Sequence, residues 1–153
     1  MALLTYLEYD GQKPLTKEEI KAFEEKYQFR FPPELKALYL KQNGGLLDEC
    51  GISEDDCMLA ELYPLFSHDD DTDEILTVKK LLKWQKQDKL IPMEYIPFCA
   101  DEAGDSYYFH TKNQGIYYIC HEFFDEFEEN PENCKIADSF SEFDRMIIDL
   151  EEE

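Results

Sequence analysis

Four groups of residues in this chain have side chains that could do chemistry, and each is tested by the spacing that chemistry requires. His121-Glu122-Phe123-Phe124-Asp125 begins like the HExxH helix of zinc proteases, where two histidines one turn apart hold the metal. Position 125 is an aspartate, so the second imidazole is missing, and the segment reads as the end of a strand. Asp69, Asp71 and Asp73 fall at positions one, three and five of a calcium loop. Glu74 stands where its sharp turn needs glycine, and Lys80 where a bidentate glutamate is required. Cys50 and Cys57, with His68 further on, are more widely spaced than the cysteine pairs of tetrahedral zinc sites. Asp101, Asp105 and His110 could form an acid/base cluster around Gly104, although turn aspartates ordinarily bond their own backbone. The chain shows no phosphate loop, G-x-S-x-G or arranged Cys/His nucleophile. The expectation is a protein without catalytic apparatus, resident metal or cofactor. A metal-dependent hydrolase around Asp101, Asp105 and His110 is the enzyme-class alternative.

The elements that must position these residues are marked by helix and turn signals. Thr16 with Glu19 makes a capping box, and Ile20, Phe23 and Tyr27 recur at helical spacing behind it. Pro33 suits the first turn of a second helix with Leu35, Leu38 and Tyr39 as its stripe. Asn43-Gly44-Gly45 stops that helix, because these residues tolerate a left-handed C-cap. Residues 46 to 56 read as a loop, 58 to 66 as a strand, and 74 to 87 as a helix capped by Asp71, with Ile75, Val78 and Leu82 inward. Residues 95 to 99, 106 to 110 and 116 to 122 read as strands, the last two joined by a five-residue hairpin loop. Ser139 and Glu142 form a second capping box, with Phe140, Phe143, Ile147 and Leu150 at helical spacing to the end. The expected fold is α+β. Two N-terminal helices come first, then a mainly antiparallel sheet of about four to six strands, then a C-terminal helix packed on it, all in one domain over residues 1–153.

Charge separates the possible partners. The net charge is −21, with residues 42 to 78 at −11 and no Lys or Arg. Residues 121 to 153 are also at −11, whereas residues 79 to 89 carry Lys79, Lys80, Lys83, Lys86 and Lys89 against Asp88. Such a surface repels phosphates, which argues against nucleic acid, and it attracts a basic partner over several ångströms. No apolar run reaches the ~20 residues that span a bilayer, and no leader is visible. Five cysteines, odd in number and without CxxC pairing, fit reduced thiols in the cytoplasm. Tyr107, Tyr117 and Phe124 lie on or beside strands amid acids such as Glu126, as aromatic anchors with a charged rim do. Asp69, Asp70, Asp71 and Asp73 are the expected steering surface. The competing expectation is that the aromatics all pack beneath the helices and the acids serve solubility.

Three blocks, in order, carry a family resemblance. The first is Glu24, Phe31-Pro32, Tyr39 and Asn43-Gly44-Gly45; the second is Ile96-Pro97-Phe98, Asp101, Gly104-Asp105, Tyr107 and Phe109; the third is Ile136-Ala137, Ser139-Phe140 and Glu142-Phe143. Together they resemble the SUKH superfamily, and within it the Smi/Knr-type cell-wall-regulator family. The resemblance implies an α+β, non-enzymatic binding module. Bacterial members of the family look like immunity proteins that neutralise a cognate toxin domain, often a nuclease; fungal members act as scaffolds in cell-wall assembly and signalling. The expectation is the bacterial kind, a monomer or weak dimer that covers the basic cleft of its toxin, with the regulatory scaffold as the alternative.

Overall fold

A short helix α1, Ala2–Tyr6, precedes the first capping box, which forms as its residues require. In the computed structural model, which describes residues 2–8, 13–52, 57–67 and 76–149, the Glu19 N–H donates to Thr16 Oγ1 at 3.1 Å. The Thr16 N–H donates back to Glu19 Oε1 at 3.0 Å. Helix α2, Lys17–Tyr27, buries Ile20, Phe23 and Glu24. Helix α3, Pro33–Lys41, starts with Pro33 at its first position and Pro32 as the cap. Pro32 offers no side-chain acceptor, and the buried carboxylate of Glu24 supplies one nearby. It accepts the Phe31 N–H at 2.8 Å and faces Lys36 Nζ at 3.4 Å, which fixes the corner between α2 and α3. Tyr39, fully buried, donates its hydroxyl to the Tyr63 carbonyl at 2.7 Å.

Asn43-Gly44-Gly45 does not act as a left-handed cap. Helix α3 is capped by Gln42 in an extended conformation, φ −154°. Asn43 is instead a buried strut: its Nδ2 donates to the Phe66 carbonyl and its Oδ1 accepts the Leu65 N–H, both at 2.9 Å. Gly44 and Gly45 take positive φ of 81° and 146° where the chain crosses close to residues 62 to 64 and to Glu8.

The sheet has more strands than the sequence signals indicate. The eight strands among the described residues are β1 Gly45–Leu46, β2 Cys50–Ile52, β3 Cys57–Leu62, β4 Tyr95–Asp101, β5 Ser106–His110, β6 Ile116–Ile119, β7 Lys135–Ala137 and β8 Ile147–Asp149. They lie in the order β7-β6-β5-β4-β3-β2-β8, with β1 on β3, and every pairing is antiparallel. The additional strands β1, β2, β7 and β8 are two or three residues long, too short to show an alternating pattern.

Three element boundaries also differ. Helix α4 runs Val78–Asp88 with Thr77 as its cap, Oγ1 accepting the Lys80 N–H at 3.2 Å, so residues 76 and 77 precede it. The expected cap Asp71 lies outside the described residues. Strand β6 stops at Ile119; His121–Phe123 forms a 3-10 turn and α5, Phe124–Glu129, follows, so the HEFFD segment is helical. Ser139 caps α6, Phe140–Arg145, through the Glu142 N–H at 3.1 Å, but the helix ends there. Ile147 pairs with Ile52 across β8 and β2 instead of continuing the helix.

Alternation along the central strands gives the sheet two apolar faces. Ile96, Phe98, Tyr107, Phe109 and Ile116 join the main core with residues of α2, α3 and α6. Tyr95, Tyr117 and Ile119 form a second cluster under Phe127 of α5. Helix α4 sends Val78 and Leu82 into the main core, while Gln85 Nε2 donates to the Tyr95 and Pro92 carbonyls, both at 2.8 Å. This pins the helix beside the second face without covering it. Among the described residues no helix is long and apolar enough to cross a membrane.

Candidate functional site

The uncovered part of the second face is a cleft of about 450 Å³ between α4, the sheet and α5. Leu81 and Trp84 of α4 form one wall, Pro97, Tyr108 and Ile119 the floor, and Phe124 the far side. Trp84 is 48% exposed, and Leu90 at the cleft mouth is 65% exposed. Phe123, one residue before α5, is 57% exposed. Large apolar side chains held open around a concavity are the surface that a partner's anchor residue fills. Acidic α5 borders it: Asp125 and Glu126 in its first turn are exposed. A wider depression of about 980 Å³ between α2, α3 and the β5–β6 loop mixes Lys21, Glu25, Arg30 and Lys36 around its rim and lacks such anchors.

The anchors expected from the sequence are divided by this geometry. Tyr107 is fully buried, its ring 4.7 Å from that of Tyr118 and 5.4 Å from that of Phe143. Tyr117 is 1% exposed in the second cluster; its hydroxyl donates to Glu132 Oε1 and accepts from Asn113 Nδ2, both at 3.1 Å. A partner cannot reach either ring, because alternation on β5 and β6 turns both toward apolar layers. Phe124 lies half-buried in the cleft wall and Glu126 is exposed beside it. Asp69, Asp70, Asp71 and Asp73 lie outside the described residues, as do His68 and the Cys57 side chain. Trp84 and Leu90 were not singled out by sequence reasoning. The signal for Trp84 was its position: the only tryptophan, off the Val78–Leu82 stripe of a lysine-rich helix.

The aspartates of the second sequence block are built into a turn. Asp101 Oδ1 accepts the Asp105 N–H at 2.9 Å, Asp101 Oδ2 accepts the Tyr118 hydroxyl, and Gly104 turns the chain with a φ of 89°. His110 is at the far end of β5, roughly 15 Å along the strand. There its Nδ1 accepts the Lys112 and Asn113 N–H groups at 3.2 and 3.3 Å, and its Nε2 meets Glu94 at 3.2 Å. The cluster of Asp101, Asp105 and His110 is therefore not assembled.

His121, which the sequence did not place here, takes the position beside Asp105. Asp105 Oδ1 pairs with His121 Nδ1 at 2.6 Å and accepts its N–H at 3.1 Å, while Oδ2 accepts the Cys120 thiol at 3.3 Å. The nearby Ser106 hydroxyl is hydrogen-bonded to the Tyr63 hydroxyl at 2.8 Å. The arrangement fastens the end of β6 to the turn. Burial pushes the Cys50 thiol up to about 12 and holds the Cys99 thiol well above its ordinary range, which keeps both protonated and unreactive. Among the described residues no group of His, Cys, Asp and Glu could hold a metal ion.

Burial acts to raise the Asp105 carboxyl, but the bonds from His121 and Cys120 outweigh it and hold the group below its ordinary 3.8. A lowered carboxyl contributes stability above its unfolded value and loses that contribution as pH falls through the folded one. Asp105→Asn should therefore cost about 1 kcal/mol at pH 7, near the low end for charged hydrogen bonds because His121 is solvent-exposed. The gap from wild type should close on acidification below pH 3.8. Urea denaturation at several pH values checks this; a gap that widens in acid would reverse the assignment.

The sequence pattern of the SMI1 / KNR4 family (SUKH-1) matches residues 14–145, and the chain belongs to that family. The match spans α2 to α6, and so includes the Glu24 corner, the Asn43 strut, the Asp101–Asp105 turn and the Ser139 cap. No curated protein matches the chain as a relative. Membership points to a protein-interaction module.

Proposed function

We propose that the protein is a binding module that docks its partner in the cleft beside α4. In the most specific form of this reading it is an immunity protein that binds a cognate bacterial toxin domain and occludes its active cleft. The observation that carries it is the pair Trp84 and Leu90, exposed at the mouth of an apolar concavity beside an acidic helix. An apolar side chain of the toxin fills the cleft, and Glu126 with its acidic neighbours on α5 faces basic residues around the toxin's substrate site. Asp69, Asp70, Asp71 and Asp73 extend the steering charge on grounds of sequence alone. Rim charges of this kind set the association rate more than the dissociation rate.

The test is to look for a toxin domain encoded beside the gene and to co-express the two. Wild type should co-purify with it and protect cells. Trp84→Ala should weaken the complex about 30-fold, ~2 kcal/mol, mainly by faster dissociation. Its melting should stay near that of wild type, because Trp84 is half-exposed. A complex that forms with wild-type kinetics in Trp84→Ala would move the interface elsewhere. Absence of both complex and protection would remove the immunity reading and leave a scaffold with a different partner.

A further inference from the structure

We infer that the lysine-lined groove on the opposite flank of α4 receives a carboxylate-rich, extended segment of a partner protein; this rests on reading α4 as the docking element. The groove, about 410 Å³, is lined by Lys26, Lys79, Lys80, Lys83 and Lys86. Those are five of the chain's fifteen cationic side chains, gathered in a protein of net charge −21, and no carboxylate is among the described lining residues; Lys80 has a partner of its own, which leaves four to the ligand. Among the described residues Lys26, Lys79, Lys83 and Lys86 meet no carboxylate within ion-pair distance. Like charges repel at this spacing on a helix. Lysines serving only solubility would be interspersed with the acids that dominate the rest of the sequence. Half-buried Tyr27 and Phe66 give the groove an apolar wall, with Lys26 Nζ 5.4 Å from the Tyr27 ring centre.

The spacing selects the ligand chemistry. Lys79 to Lys86 extends over about 10 Å of helix, too far for one phosphate to bridge. Alternate residues of an extended peptide repeat about every 7 Å, close to the rise between Lys79 and Lys83. A duplex carries a charge about every 1.7 Å and would run beyond the groove onto repelling acidic surface. A short acidic segment confines its charge to the groove. The partner of α4 is then two-sided, with an apolar anchor in the cleft and an acidic segment across the helix.

The probe is a fluorescein-labelled peptide of about ten residues with alternating glutamates and one phenylalanine, titrated by fluorescence anisotropy at low ionic strength. It needs no partner, so its outcome is independent of the toxin experiment. Saturable binding to wild type is expected, roughly tenfold weaker in Lys83→Glu/Lys86→Glu. If that variant misfolds, Lys79→Gln/Lys83→Gln should show the same direction with intact folding by circular dichroism. Absence of saturable binding would overturn the inference. So would a single-stranded oligonucleotide of equal charge binding as tightly. Binding that appears only in Asp69→Asn/Asp70→Asn/Asp71→Asn/Asp73→Asn would show the lysines to be satisfied within the chain, and would also overturn it.

Discussion

Tyr107→Ala should lower the stability of the fold by about 3–5 kcal/mol, the range for emptying an aromatic site in a well-packed core. The ring is fully buried where β5 meets α6, against Tyr118 on the neighbouring strand and Phe143 on the helix. Phe143 is itself held against Phe98, with ring centres 5.5 Å apart, so the cavity would open between two aromatic neighbours fixed by separate elements. Such neighbours cannot collapse together without moving α6 off the sheet. The folded fraction that remains should release a partner at the wild-type rate. Urea titration and dissociation kinetics measured together decide the matter. Wild-type stability with fast dissociation would place Tyr107 at an interface.

Gly44→Val should be nearly as damaging, by about 2–5 kcal/mol. A left-handed backbone costs an L residue ~1–2 kcal/mol, and forced overpacking adds ~1–3 kcal/mol. A Cβ here would lie 2.5 Å from the Pro64 nitrogen and 2.7 Å from the Leu62 oxygen, both backbone atoms. Relief requires the Asn43 strut to slacken on Leu65 and Phe66. Gly104→Val provides the internal control. Its φ is similarly positive at 89°, but a Cβ there meets nothing within 4 Å, so only the conformational part should appear. Equal losses in the two variants would show that the crossing at residues 62 to 64 yields easily.

Signals that depend on a few neighbouring residues were legible in the sequence. Thr16 with Glu19, Pro33 at a helix start, and the hairpin between β5 and β6 are local agreements between side chain and backbone, and each forms where its residues indicate. Boundaries decided by distant pairing were not. Ile147 continues the helical spacing of Phe140 and Phe143, and only the edge of β2, far back in the chain, makes a strand the better use of it. His121 shows the same limit: its partner Asp105 is brought in by the β5–β6 register. Tyr107 and Tyr117 were identified as important by residue type, but type does not say which face of a strand looks inward. The cleft was harder still. Trp84 and Leu90 define it by exposure, a property with no periodic signature.

Asp144 ties the two ends of the described chain together. Its two carboxylate oxygens accept the Ala2 and Leu3 N–H groups at 2.9 and 2.8 Å, one residue before Arg145 ends α6. Directly beyond, β8 closes the sheet on β2. Helix α1 thus lacks the acceptor for its leading amides, and β2 its β8 neighbour, until residues 144 to 149 reach them. Loop closure over such a separation is slow relative to local hairpins. The β4–β5–β6 meander can therefore pair while both flanks are still open, and the final closure couples Ala2 and Leu3 to Asp144 across more than 140 positions of sequence.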